Sequence, residues 1–236
     1  MRRALVPILL LLTAPIAHAG DLTIRQRTML GGVAPREETQ YAHGTLLVID
    51  APDSRTIVDV DARTMRVADK QRRTWFEITF DDLRRQADAV ERRTRAMPPK
   101  ERKMLDELIG GNGAVTLVPT GRKETIAGFP ATEQALKGGP FAGSIWATEA
   151  VAVPEGVRRW RELSADSTSA AGPARPLTQA LAQVRGLPLR TSMTANVGGS
   201  TFATSTEVLE VRKTPISREV LQVPPGFTRV AAPKME

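Results

Sequence analysis

Apolar positions recur along this chain with two periods, and the switch between them predicts a strand-rich part, a helical stretch and a second strand-rich part. Leu22 to Leu30 reads as a first strand, ended by Gly31-Gly32 and Pro35. A second run, Thr39 to Asp50, passes through Ala51-Pro52-Asp53-Ser54 into a third, Arg55 to Val60. In that third run Thr56, Val58 and Val60 fall on one face and Ile57 and Asp59 on the other. Thr64 to Ala68 and Thr74 to Thr79 complete a meander, and its regular turn signals predict antiparallel pairing.

The period then lengthens. Phe80, Leu83, Ala87, Val90, Thr94 and Met97 lie three or four residues apart, which places them on one stripe of a helix. Thr79 can cap it, and Asp81 and Asp82 suit its first turn. Pro98-Pro99 breaks this helix and starts another, with Met104, Leu105, Leu108 and Ile109 as its apolar stripe and Gly110 to Gly113 as its stop. The mixed charges on the outer faces read as solvated surface.

Strand signals return at Ala114 to Pro119, Glu124 to Ile126, Pro130 to Leu136 and Ser144 to Glu149, the last two forming a hairpin around Lys137-Gly138-Gly139-Pro140. Trp160 falls in a short helix after Pro154, a loop covers residues 164–176, and Leu177 to Val184 is a further helix. A strand then runs from Gly186-Leu187-Pro188-Leu189 through Asn196, turns at Gly198-Gly199 and returns over Thr201 to Lys213. The end, with Pro224-Pro225-Gly226-Phe227, reads as a loose tail. No repeat or linker divides the chain, so residues 20–236 are expected to form a single domain.

The first 19 residues change the setting. Arg2 and Arg3, the apolar run Ala4 to Leu12, Pro15 and the small-residue site Ala17-His18-Ala19 predict a Sec-type signal peptide cut between Ala19 and Gly20. The Arg pair directly follows Met1 and lacks the flanks of a twin-Arg signal. A membrane-spanning anchor needs about 20 apolar residues without such a site, so no stable membrane anchor is expected, and the protein is placed in the periplasm or secreted. Cleavage also removes two arginines and His18, lowering the formal net charge from +7 to +5 and leaving His43 as the one imidazole.

Composition then removes chemistry. There is no Cys, which excludes disulfides, thiol nucleophiles, Cys-based metal sites, haem attachment and the N-terminal lipid of a lipoprotein. Two-histidine metal motifs are impossible after cleavage, and neither a cofactor nor a metal is expected. Lys and Arg exceed Asp and Glu by 33 to 26, but the ten aromatics (3 Trp, 1 Tyr, 6 Phe) are scattered and offer no stacking platform, so nucleic acid is not an expected partner. An exported basic protein meets anionic lipid instead.

The remaining motifs are weak. Gly198-Gly199-Ser200-Thr201-Phe202 starts like a nucleophile elbow but has Phe202 where the second Gly belongs. Gly110 to Gly113 follows a helix, so it reads as a C-cap and not a phosphate cradle. Asp50, Asp53, Asp59 and Asp61 fail the EF-hand pattern, with Pro52 and Arg55 in the wrong places, and read as hairpin ends. Glu133, Glu149 and Glu207 are the carboxylates for a hydrolase reading, although spacing selects none of them.

One larger pattern is present. A helical hairpin, a Gly-rich turn, Thr120-Gly121, Ile126-Ala127-Gly128-Phe129 and Ile145-Trp146-Ala147 follow in order, with Asp59, Thr74-Trp75, Gly186-Leu187-Pro188-Leu189, Thr206-Glu207-Val208 and Pro225-Gly226-Phe227 around them. This order resembles an exported bacterial domain-of-unknown-function family similar to the LolA/LolB lipoprotein-localisation half-barrel. Ala131 stands where a Cys is common in that pattern. The resemblance implies an α+β fold, a strongly curved antiparallel sheet (half-barrel) wrapped around a helical hairpin, with an apolar concavity. Trp75, Phe76, Phe80, Phe141 and Trp146 are the candidates to line it, with packed core as the plainer reading. The expected function is a non-enzymatic carrier of a lipid or acyl chain; the alternatives are an envelope interaction protein without internal ligand and a carboxylate-dependent hydrolase.

Overall fold

Each short apolar run pairs with the next, and the computed structural model describes the result for residues 20–108, 113–166 and 175–233. The expected leader with Ala19, most of the Gly-rich helix stop and most of the loop after Ser164 lie outside the described residues. The elements are β1 (Leu22–Leu30), β2 (Arg36–His43), β3 (Leu46–Asp50), β4 (Ser54–Asp59), β5 (Thr64–Asp69), β6 (Thr74–Thr79), α1 (Phe80–Ala96), α2 (Pro99–Leu108), β7 (Thr116–Ile126), β8 (Phe129–Gly138), β9 (Phe141–Thr148), α3 (Glu155–Asp166), α4 (Arg175–Ala182), β10 (Leu187–Val197), β11 (Ser200–Arg212) and β12 (Thr228–Arg229).

All twelve strands join one sheet in the order β12-β6-β5-β4-β3-β2-β1-β11-β10-β9-β8-β7, with β12 and β7 as its open edges. Neighbours are antiparallel except β12 and β6. The sheet is curved and unclosed. One apolar cluster shows why it curves, since it gathers Leu47 and Val58, Leu22 and Ile24, Val208 and Leu189 with Val157 of α3. The strands β4 to β10 would spread over roughly 30 Å if flat, far more than the ~10–12 Å width of a helix, so the sheet curls to bring them around α3.

Two glycines make the close approaches this needs. Gly44, at φ 54°, allows a two-residue turn that splits the expected run of 39–50 into β2 and β3. The Gly156 N–H donates to the Gly44 carbonyl oxygen at 2.9 Å, and a Cβ on Gly156 would sit 2.9 Å from that same oxygen, so α3 docks there on bare backbone. The other split was expected but does not occur: β7 is one strand, with a register irregularity between Pro119 and Lys123.

The expected helical stripe is only partly used. Thr79 caps α1 in a capping box, its Oγ1 accepting from the Asp82 N–H at 3.0 Å. Phe80 is buried and Leu83 packs on the core, but Val90 and Met97 are exposed. Helix α3 lies on β2 and β3 and against α4, while α1 meets the sheet at β6. Among the described residues no helix is long and apolar enough to cross a membrane.

The chain end corrects the expected loose tail. Ile216, Leu221 and Val223 pack on Tyr41, Leu46, Val48 and Ile57, so β4 is covered on both faces. Beyond this strap, β12 pairs in parallel with β6, with N–H bonds from Thr228 to Arg73 and from Val230 to Trp75 at 3.0 and 2.8 Å. Arg229 lies 5.1 Å over the Trp75 ring and donates to Glu77 at 3.1 Å. The physical reason is the unpaired edge of β6, whose free N–H and C=O groups take up an added strand.

Candidate functional site

Where α3 and α4 rest on the curled sheet, they leave a cavity of about 340 Å³. This lies at the low end of the ~300–1,000 Å³ range of small-molecule sites. Helix α3 supplies Trp160, Arg161 and Ser164, spaced to share one side of the helix. Leu181 and Ala182 of α4 and the following Val184 form the opposite wall. The floor is Ile145 of β9, Leu189 and Thr191 of β10, and Val208 of β11. Leu189 reaches it through a bulge: the β9–β10 register shifts between Pro188 and Arg190. Eight of the lining residues are apolar, Trp160 among them, and seven carry polar groups.

The polar groups at this site differ in how they are occupied. Gln26 donates to Glu38 at 2.6 Å. Arg190 donates to Glu207 at 2.8 Å and to Glu124 at 2.9 Å, and these bonds, Glu207 first, outweigh its burial and hold its pKa above the ordinary arginine value. Arg161 donates to the Gly186 carbonyl oxygen at 3.0 Å, and burial lowers its pKa. The Ser164 hydroxyl is buried without a hydrogen-bond partner among the described residues.

The five aromatics expected to line a concavity do not converge on this one. Phe80 is buried in the main core with its ring 5.8 Å from that of Trp160, so it backs the cavity wall from behind. Phe141 packs in a second cluster with Leu136, Ile145 and Val184. Trp146 is buried beneath Arg122, whose guanidinium lies 5.4 Å from the ring centre. Trp75 is under Arg229, and Phe76 lines a separate groove beside Val230. The helical half of the lining escaped notice in the sequence because α3 and α4 are short and carry no motif, with Trp160 its one visible marker; on the sheet side Ile145, Pro188, Leu189, Thr206 and Val208 fall in segments of the pattern quoted above.

The carboxylates of the hydrolase reading stay apart. Glu133 is buried in β8, accepting from Thr120 Oγ1 at 2.8 Å and paired with Arg122 at 3.2 Å. Glu207 is in β11 on Arg190, and Glu149 is exposed. His43 Nδ1 lies 2.6 Å from Asp21 Oδ1, while Asp21 Oδ2 accepts the Ile216 N–H at 2.7 Å, so this imidazole helps fasten the strap. Among the described residues no three His, Asp or Glu side chains gather as a metal site.

No family model matches the chain, and no curated protein matches it significantly. Solved structures do. PNGF-II in its C2 crystal form aligns at TM-score 0.43 and 10% identity over 90% of this chain and 31% of its own. MucB aligns at TM-score 0.33 and 10% identity over 89% of this chain and 59% of its own. A LolA superfamily protein of Nitrosomonas europaea, NE2245, aligns at TM-score 0.28 and 8% identity over 86% and 89%. The chain thus spans about a third of the length of the PNGF-II structures.

Proposed function

We propose that this protein is a non-enzymatic binding or carrier protein of the cell envelope that shelters an acyl chain between α3–α4 and the sheet. The observation behind this reading is the cavity itself, bounded in part by Leu181, Val184, Leu189 and Val208. Desolvating methylenes there is favourable by roughly 0.8 kcal/mol each, enough for a medium chain to bind without covalent chemistry. The envelope location rests on the leader expected at residues 1–19.

The test is titration of delipidated protein with a fluorescent fatty-acid analogue, alongside mass spectrometry of the protein taken from its native host. Saturable binding at one site, lost when Val184→Trp fills the cavity, is the expected result. No binding and no co-purifying lipid would overturn the reading.

A second reading, an envelope interaction protein, draws on a different feature. Met29, Leu30 and Val33 at the β1–β2 turn and Phe202 at the β10–β11 turn are exposed on adjacent hairpins, where the Gly31 N–H donates to the Ala203 carbonyl at 2.9 Å. Substituting Leu30 and Phe202 by Ser would leave acyl binding intact and remove partner capture if this reading holds.

A further inference from the structure

Two polar groups of the cavity are left over by the fold. A guanidinium carries five N–H donors, and Arg161 spends one on the Gly186 carbonyl oxygen, 3.0 Å away. No carboxylate among the described residues forms an ion pair with it. Burial alone moves its pKa, downward, with no acidic neighbour opposing the shift. Ser164, three residues on along α3, has a buried Oγ without a hydrogen-bond partner among the described residues. A desolvated cation without a counter-ion and a buried hydroxyl without a partner are both unfavourable, and here they share one side of a helix facing one cavity. The neighbouring polar groups differ in this respect, because Gln26 is bonded to Glu38 and Arg190 to Glu207 and Glu124.

We propose that the cavity is built for a single acyl chain ending in an oxyanion, a carboxylate or a phosphate, with the head group held by Arg161 and Ser164 and the chain lying along Leu181, Val184 and Leu189. Arginine's planar fork matches either oxyanion in two-point contact, and such charge-assisted bonds are the strong ones. The volume of about 340 Å³ is room for one acyl chain. This inference rests on the carrier reading and adds the class of ligand.

The experiment compares dodecanoate, dodecyl phosphate and dodecanol by displacement of a bound fluorescent probe from the native protein and from Arg161→Met, Arg161→Lys and Ser164→Ala. At least one anion should bind native protein about tenfold or more tighter than dodecanol. That preference should collapse in Arg161→Met, return in part in Arg161→Lys and weaken in Ser164→Ala, while dodecanol affinity stays within about threefold throughout. Whichever anion leads identifies the head group. Equal binding of all three ligands to native protein would overturn the oxyanion inference and leave the carrier reading standing. Binding of none would overturn both. Should Arg161→Met fail to fold, the native comparison and Ser164→Ala decide the matter.

Discussion

Two leucines offer a way to ask whether the cavity communicates with solvent and ligand. Leu189 and Leu136 are each almost fully buried, at 1% and 0% exposure. Leu189 borders the cavity, whereas Leu136 lies in the cluster of Ile145, Ala147 and Val184 and does not. Truncating either to Ala removes three carbons, a transfer loss of about 2.4 kcal/mol at roughly 0.8 kcal/mol per carbon. At Leu136 the space left is a new dry void in a packed interior, and the penalty for that void brings the expected cost to about 3–5 kcal/mol. At Leu189 the space merges with an existing cavity of about 340 Å³, so little new void is made and the cost should stay near 2–2.5 kcal/mol. Equilibrium urea unfolding, followed by tryptophan fluorescence with matched slopes for the two variants, measures the difference. A saturating acyl ligand should then narrow or reverse the gap, because Leu189→Ala loses ligand stabilisation that Leu136→Ala keeps. Equal losses for the two variants without ligand, or a gap that ligand leaves unchanged, would refute the reasoning by making the Leu189 environment as closed and dry as any other part of the core.

Acid should weaken the fold through carboxylates held charged by basic partners. Burial alone would raise the Asp50 pKa, but hydrogen bonds from Arg55 and Lys70 outweigh it and lower the value below 3.8; the Arg66 hydrogen bond lowers Glu77 below 4.5. Their contribution is therefore complete above those ordinary values and lost as pH falls through the depressed ones, so stability should be flat from neutrality to about pH 5 and decline below about pH 4, less steeply in Asp50→Asn. Gly143→Ala would place a Cβ 2.0 Å from the Ser192 carbonyl oxygen, forcing β9 from β10 at a cost of roughly 3–5 kcal/mol by urea unfolding. Thr79→Ala removes the α1 cap and should cost about 1 kcal/mol by the same assay. Arg229→Ala uncovers the Trp75 ring, shifting tryptophan emission to the red with a loss of roughly 0.5–1 kcal/mol.

Local rules carried the sequence reading far on elements and less far on their neighbours. The alternation of Ile57 with Val58 marked β4 correctly, but both faces turn out to be covered, one by α3's core and the other by Leu221 from the strap. Period alone cannot see a cover that arrives from more than 150 residues away. The 3.6-residue stripe of α1 was equally plain, yet Val90 and Met97 remain exposed because the concave face is already taken by α3. Aromatic residues were the natural choice for a cavity lining; the structure puts Trp160 there beside aliphatic and polar residues, and Phe80 and Trp146 serve as packing behind or beside it. What the residues could not reveal was that, among the described residues, Arg161 has no counter-ion and Ser164 no hydrogen-bond partner, a property of distances between elements.

The seam between β1 and β11 has a consequence for how the molecule is made. Thr28 and Thr206 meet across it, 178 residues apart in the chain, while the two flanking ribbons, β2 to β6 and β7 to β9, are built from hairpins of neighbouring strands. Local ribbons close quickly and a seam of this separation closes last, because its loop entropy is lost before its contacts form. The cavity straddles that seam, with Gln26 contributed from one side and Leu189 and Val208 from the other. A growing chain therefore has strands long before it has the cavity, which the polypeptide acquires only in its final folding step.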